Sequence, residues 1–337
     1  MSHHADARPE GAATTEELRG SAEPLVSVVM ACRNGLPFLR EALDSLAGQT
    51  LASWELLLVD GGSTDGSAEL AARYDPRVRV LSAPDGPPPG EARNRAVAQA
   101  RAPLLAFLDA DDLWRRDKLE RQVALQRSSS AVLVFSDCRV VDGNGRVLGR
   151  YLTRHRPARG AVADRLAEEN FVPLSTVLVT REAFEAAGGF PEGYWAAADY
   201  VFALRVARLG PFEYDEAALA DYRVHPGSIT QDFRRAYQEN VRVYQDLLAD
   251  AADDAQRGRA RTALGVLYWR WALREASGGG LGRAASLARE AARATGVPVA
   301  AATLRKALAS WLRGLPLRLR MEGARRGGGR GSAPGSP

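Results

Sequence analysis

The segment LLAFLDADDLW, residues 104–114, runs an apolar stretch straight into Asp109, Asp111 and Asp112. Carboxylates at alternate positions past the end of a buried strand can turn toward one point, and hard oxygen ligands suit Mg²⁺ or Mn²⁺. Those cations in turn suit substrates that carry phosphate. The same run has a plainer use, because Asp111 or Asp112 could cap the helix that follows by accepting its free N–H groups.

The elements that must hold these carboxylates are legible in the hydrophobic pattern. Val26 to Ala31 predicts a buried strand, after which Leu36, Leu39, Leu43 and Leu46 recur at helical spacing. Glu55 to Val59 predicts a second strand ending at Asp60; GGSTDGS then supplies a tight turn and caps for a helix running to Tyr74, with Asp65 as the cap. Val78 to Ser82 predicts a third strand, Glu91 to Ala100 a helix and Leu104 to Leu108 a fourth strand. Strands alternating with helices in this way indicate an α/β protein with a mostly parallel sheet covered on both faces. Ligands gather at the carboxyl ends of such strands, where Asn34, Asp60 and Asp109 all fall. Further on, a helix is expected from about Lys118, strands at 131–136, 175–180 and 219–224, a hairpin turn at Asp142 to Gly145, and helices near Asp164, from Arg181 and from Tyr200 to Leu209. From Gln231 to about Gly314 the chain is rich in Ala, Leu and Arg and reads as almost wholly helical.

A chain of 337 residues with 46% hydrophobic and 26% charged residues has material for one large domain and an appendage, and neither wholesale disorder nor a membrane-embedded body is indicated. No apolar run reaches the roughly 18 residues of a membrane span. Residues 1–23 lack the charged start and apolar centre of a signal peptide and read as a disordered leader. Cys32 and Cys138 permit one disulfide at most, so a reducing cytoplasm is the default, with both thiols as small core groups. The net charge of +4 is uneven: 301–337 carry eight Lys or Arg against one acidic residue, which leaves the first 300 residues slightly acidic. Leu304, Leu308, Trp311, Leu312 and Leu315, offset from Arg305, Lys306 and Arg313, form a basic amphipathic pattern. Such a helix packs on its neighbours, or it lies peripherally on an anionic inner membrane through 301–320. Without aromatic residues interleaved among the charges, a nucleic-acid partner is not expected.

Five motifs in order now carry a resemblance. VSVVMACRNG, QTLASWELLLVDGGSTDGS, GEARNRAVAQARAPLLAFLDADDLW, GGFPEG and YRVHPGSIT together resemble the inverting glycosyltransferases of family 2, over roughly Pro24 to Thr230. The resemblance implies the GT-A nucleotide-sugar fold, a Rossmann-like mostly parallel sheet, here with a helical C-terminal extension. The domains expected are a leader (1–23), a GT-A domain (24–230), a helical region (231–320) and a disordered tail (321–337). It also implies transfer of a sugar from a nucleoside diphosphate donor to an acceptor hydroxyl with inversion. The implied metal ligands for Mg²⁺ or Mn²⁺ are Asp111, with Asp109 on the ribose or sharing the ion, and His225 of the closing motif. The implied nucleoside pocket is formed by Ala31, Arg33 and Asn34 together with Asp60. Arg93 and Asn94 match the family's ARN element and would approach the donor, the guanidinium pairing with its oxygens.

Inversion requires a base that takes the acceptor proton. The family places it in a Glu-Asp pair after the GGF turn; here the pair reads Ala198 and Asp199, so Asp199 is the expected base. A second departure is Gly61 after Asp60, where the family often has an acid that pairs with uracil. A UDP-sugar is therefore the favoured donor but not an assured one. The acceptor is expected to be a glycan, a lipid-linked sugar or a small molecule, and Trp195 could stack on its ring or simply pack. Two other readings stay open: a degenerate protein that only binds nucleotide sugars, suggested by Ala198, and a phosphatase of the haloacid dehalogenase type, whose nucleophile motif is also DxD after an apolar strand.

Overall fold

β1 (Val26–Cys32) and β2 (Trp54–Asp60) are apolar along almost their whole length because helices cover both faces of the sheet in which they pair, and they lie parallel with Val29 opposite Leu57. The computed structural model of the chain describes residues 23–36, 38–153, 155–295 and 303–309. All but the last residue of the expected leader, the expected tail, and Trp311, Leu312, Arg313 and Leu315 of the basic helix lie outside the described residues.

Side chains alternate across the sheet. Val28, Met30, Leu56 and Leu58 pack toward one face, where α1 (Leu39–Ala47) covers them with Leu39, Ala42, Leu43 and Leu46. Leu36, expected on that stripe, precedes the helix and is 38% exposed. Val29, Leu57, Leu105 and Phe107 point to the other face. There they meet α3 (Pro89–Val97) and α7 (Ala198–Val206). β3 (Val78–Ser82) continues the parallel pairing beside β2, after α2 (Ser67–Ala72), and β4 (Leu104–Phe107) continues it beside β1. One acid inside this sheet is fully provided for: buried Glu55 accepts from the Ser27 hydroxyl at 2.7 Å and from the Arg101 backbone and side chain at 2.7 and 2.9 Å.

Beyond β4 the sheet is mixed rather than mostly parallel. The nine strands run β3, β2, β1, β4, β8 (Leu178–Thr180), β6 (Leu133–Asp142), β9 (Phe212–Val224), β5 (Leu113–Trp114), with β7 (Val147–Arg150) beside β6. β8 is antiparallel to β4 and β6, and β5 is antiparallel to β9, whereas β6 and β9 are parallel. One antiparallel pair follows directly from its connection: β6 turns back into β7 through the expected Asp142 to Gly145 hairpin, and a tight turn can only produce antiparallel neighbours.

α4 (Lys118–Ser129), α5 (Ala163–Leu166) and α6 (Arg181–Ala186) complete the cover, and α8 (Phe233–Ala249), α9 (Asp254–Ser277) and α10 (Leu281–Thr295) follow. These last helices share the core of the sheet, since Val243, Tyr244, Ala263 and Leu264 belong to the same buried cluster as Phe107 and Phe202. Residues 303–309 form a further helical turn with Thr303 and Ala307 inward and Leu308 36% exposed, so the small residues, not that leucine, make the inner face here.

Candidate active site

Three loops leave the carboxyl ends of β1, β2 and β4 and meet at one cleft of about 790 Å³. The first two are stitched together by hydrogen bonds. Asn34, held at φ 52°, accepts from the Thr64 N–H at 2.8 Å with its side chain and donates its own N–H to Ser63 Oγ at 2.8 Å. The Asp65 carboxylate accepts from the Leu36 and Ser67 N–H groups at 3.0 Å, so it ties the two loops as well as serving the start of α2. Asp60, expected in the nucleoside pocket, turns its carboxylate onto the Gly62 and Ser63 N–H groups at 3.2 to 3.3 Å and does not line the cleft. An Asp that caps its own turn satisfies those N–H groups and has little reach left for a ligand.

The acidic loop is organised around a residue whose role the sequence did not disclose. Asp112 does not cap a helix: the next two residues form β5, and α4 begins only after Asp117. Instead Asp112 is fully buried, accepting from Ser175 Oγ at 2.5 Å and from the Arg223 N–H at 2.8 Å. Burial, reinforced by the neighbouring Asp111 and Asp109, pushes its carboxyl well above the ordinary range. Ser175 also accepts from the Asp109 N–H at 3.2 Å. The buried acid therefore joins the acidic loop to the end of β9, and nothing in residue order announces that, because Ser175 and Arg223 lie far along the chain.

This strut sets out the groups above it. His225 follows β9 and brings Nε2 within 2.9 Å of Asp111 Oδ2, with its ring 4.5 Å from that of Phe38. Arg223 is buried, pairs with Glu41 and lies 4.5 Å over the Phe38 ring. Arg93, on α3, is 7% exposed and reaches Asp109 Oδ1 at 2.5 Å, so it is an interior partner of the acidic loop and not a surface ion pair. Asn94 does not face the cleft. Its amide donates to the Phe190 carbonyl and accepts from the Phe190 N–H, both at 2.9 Å, which clamps α3 to the GGF turn.

Asp199, at the first turn of α7, lines the same cleft. Burial pushes its carboxyl up to about 6, against the lowering effects of the Tyr200 N–H and of Arg93, while Asp109 adds to the rise. Ala198, which stands where the family has Glu, is buried against α3: its methyl would lie 3.0 Å from a Cβ placed on Gly90. Of the ten residues singled out by motif, Ala31, Arg33, Asn34, Arg93, Asp109, Asp111, Asp199 and His225 line the cleft, whereas Asp60 and Asn94 do not. Trp195 lines it too, with the Arg235 guanidinium 5.4 Å from its ring. Among the described residues no three His, Cys, Asp or Glu side chains converge as a self-sufficient metal site.

The family model for glycosyl transferase family 2 matches residues 27–186. TuaG of Bacillus subtilis, a glycosyltransferase assigned provisionally to teichuronic acid biosynthesis, is 27% identical over 229 residues, 67% of this chain and 89% of its own length. WfgD of Escherichia coli, a UDP-Glc:α-D-GlcNAc-diphosphoundecaprenol β-1,3-glucosyltransferase, is 29% identical over 129 residues, 38% of this chain and 51% of its own. The structure of Staphylococcus aureus TarS with UDP-GlcNAc superposes with a TM-score of 0.60 at 16% identity, covering 88% of this chain and 92% of that one. The mannosyltransferase PcManGT of Pyrobaculum calidifontis, solved with GDP-Man and Mn²⁺, gives 0.60 at 21% identity over 90% and 84%. A DxD on the fourth strand of this sheet, beside β1 and within the matched family domain, leaves no place for the dehalogenase-type reading. With the motifs, the sheet order and the cleft in agreement, the chain carries a glycosyl transferase family 2 domain over residues 27–186 and is a glycosyltransferase of the GT-A fold.

Proposed function

We propose that this enzyme moves a sugar from a nucleoside diphosphate donor to an acceptor hydroxyl with inversion, assisted by Mg²⁺ or Mn²⁺, and that Asp199 is the general base. The observation that carries the reading is the cleft itself: Asp109, Asp111 and Asp199, whose carboxyl is pushed up to about 6, line it together. A carboxylate poised near neutrality can accept the acceptor's proton at the operating pH.

The chain's oxygen and imidazole donors fit a cation that the substrate completes. Asp111 and His225 already touch, Asp109 is close at hand, and Mg²⁺ commonly takes one or two protein carboxylates and fills its remaining positions with phosphate oxygens and water. When bound, the ion would offset the charge that develops on the departing diphosphate. Arg93 holds Asp109 in place, and its buried Nε has no acceptor among the described residues, which leaves a donor for a phosphate or sugar oxygen. Ala31, Arg33 and Asn34 line the same cleft and would receive the nucleoside.

The donor nucleoside is proposed as uridine, as in the UDP-GlcNAc held by one structural relative; guanosine is the rival, because Gly61 supplies no side chain to pair with uracil and another relative holds GDP-Man. For the acceptor we favour a lipid-linked sugar, the substrate class in WfgD's name. No described helix is long and apolar enough to cross a membrane. The deciding experiment is donor hydrolysis with Mn²⁺, using UDP-GlcNAc, UDP-glucose and GDP-mannose. Asp111→Ala is expected to remove the metal-dependent rate, and Asp199→Asn to lower turnover by about 10²-fold or more with little change in nucleotide affinity. Retention of native turnover by both variants would remove the proposal, and nucleotide binding without turnover in the native chain would favour the binding-only reading.

A further inference from the structure

Glu239 lies in the middle of α8 and is 7% exposed. Its carboxylate is spent on backbone. One oxygen accepts from the Trp195 N–H at 3.0 Å, and the other from the N–H groups of Ala196 at 2.7 Å and Ala197 at 3.0 Å. Those groups lead directly into α7, whose N-cap, Ala197, has no side-chain acceptor of its own. Free N–H groups at a helix start need an acceptor, and a negative charge there is favoured by the helix dipole. Here the acceptor comes from another helix, more than forty residues along the chain.

The rest of α8 grips the same segment. Arg242 lies 4.5 Å over the Tyr194 ring and Arg235 5.4 Å from that of Trp195, while Ala236 and Asn240, one helical turn apart and flanking Glu239, line the cleft. Asp199, two residues past the cradle, has its carboxylate tied locally, accepting from the Tyr200 N–H at 2.8 Å. Its aim is therefore set by where α7 starts, and α7 starts where Glu239 holds it.

We infer that Glu239 is a positioning residue for Asp199, so that α8 forms part of the catalytic machinery and is not merely an appended helix. The inference rests on the reading of Asp199 as the base. A carboxylate in this cradle fixes three consecutive N–H groups at once, leaving residues 195–197 a single conformation and the base a single direction of approach.

The test compares Glu239→Ala and Glu239→Gln with the native chain and with Asp199→Asn, at a temperature where near-UV circular dichroism shows every variant folded. Hydrogen exchange of the 194–200 segment is expected to quicken about tenfold or more in Glu239→Ala, with β1 to β4 unchanged. Hydrolysis of whichever of UDP-GlcNAc, UDP-glucose and GDP-mannose turns over fastest with Mn²⁺ should lose about tenfold or more in kcat, with KM for the donor and calorimetric affinity for UDP or GDP within about twofold. Glu239→Gln keeps one accepting oxygen and is expected to recover part of both; it also serves should the alanine variant not fold. Unchanged exchange at 194–200 overturns the inference whatever the activity does, and so does a loss of turnover that merely tracks a loss of nucleotide affinity. Native turnover in Asp199→Asn would strike the assignment of the base, while the exchange result would still decide the cradle.

Discussion

Asp199 shows how one position can be costly to the fold and useful to the reaction. Because burial raises its folded value to about 6, the folded chain binds this proton more tightly than the unfolded chain does. Stability from this group is therefore greatest at low pH and declines as pH rises from the ordinary carboxylate value through about 6. Asp199→Asn removes that loss: it is expected to melt higher than the native protein by roughly 2–4 °C at pH 8, with the advantage shrinking as pH falls and gone by about pH 3. In kcat/KM the native enzyme should lose activity on the acid side with a midpoint near 6, and a profile flat from pH 5 to 8 would count against Asp199 as the base. Asp112 is the opposite case, a buried acid turned away from solvent and spent on structure. Asp112→Ala leaves the Ser175 hydroxyl and the Arg223 N–H without their partner, and urea unfolding is expected to show a loss of roughly 2–4 kcal/mol.

At the level of elements, α3 and the turn before α7 act as one unit. Arg93 and Asn94 are consecutive, yet one grips the acidic loop and the other the GGF turn, so that turn and the metal-side wall share a single helix as their reference. Gly189 makes this possible, since its φ is +65° and a Cβ there would lie 2.7 Å from Asn94 Oδ1. Gly189→Ala therefore meets both backbone strain and a clash, and a loss of about 1–3 kcal/mol is expected in thermal or urea unfolding. The motif glycines are thus legible as requirements of a turn, but the partner that makes the space tight is a side chain almost a hundred residues earlier.

For the whole molecule, the C-terminal helices are part of the core as well as of the cleft. A chain ending after residue 230 would lose Val243, Tyr244, Ala263 and Leu264 from the cluster that contains Phe107, and would lose the Glu239 cradle. Such a truncation is expected to lack the near-UV signal of fixed packing and to lose cooperative melting; a native-like transition would show that residues 24–230 stand alone. Ligand binding supplies the complementary measurement. A nucleoside diphosphate with Mn²⁺ at about a hundred times its Kd should stabilise the native state by about 2.7 kcal/mol, and Asp111→Ala should abolish the metal-dependent share of that shift.

Residue order alone determined the strand and helix alternation up to β4, because a sheet covered on both faces demands apolar strands and striped helices, and it located Asp109, Asp111, Asp199 and His225 through motifs that stand next to strand or helix ends. It also marked the Asp142 to Gly145 turn, whose glycines and acid act locally. The tertiary structure decided whatever depends on partners distant in the chain. Asp60 and Asn94 turned out to serve loop and turn geometry, Asp112 to be a buried strut, the sheet to be mixed beyond β4, and Glu239 to face the start of α7. The physical reason is that periodicity and caps are set by neighbours within a few residues, whereas the direction of a polar side chain is set by whichever unpaired N–H, carbonyl or hydroxyl packing brings beside it.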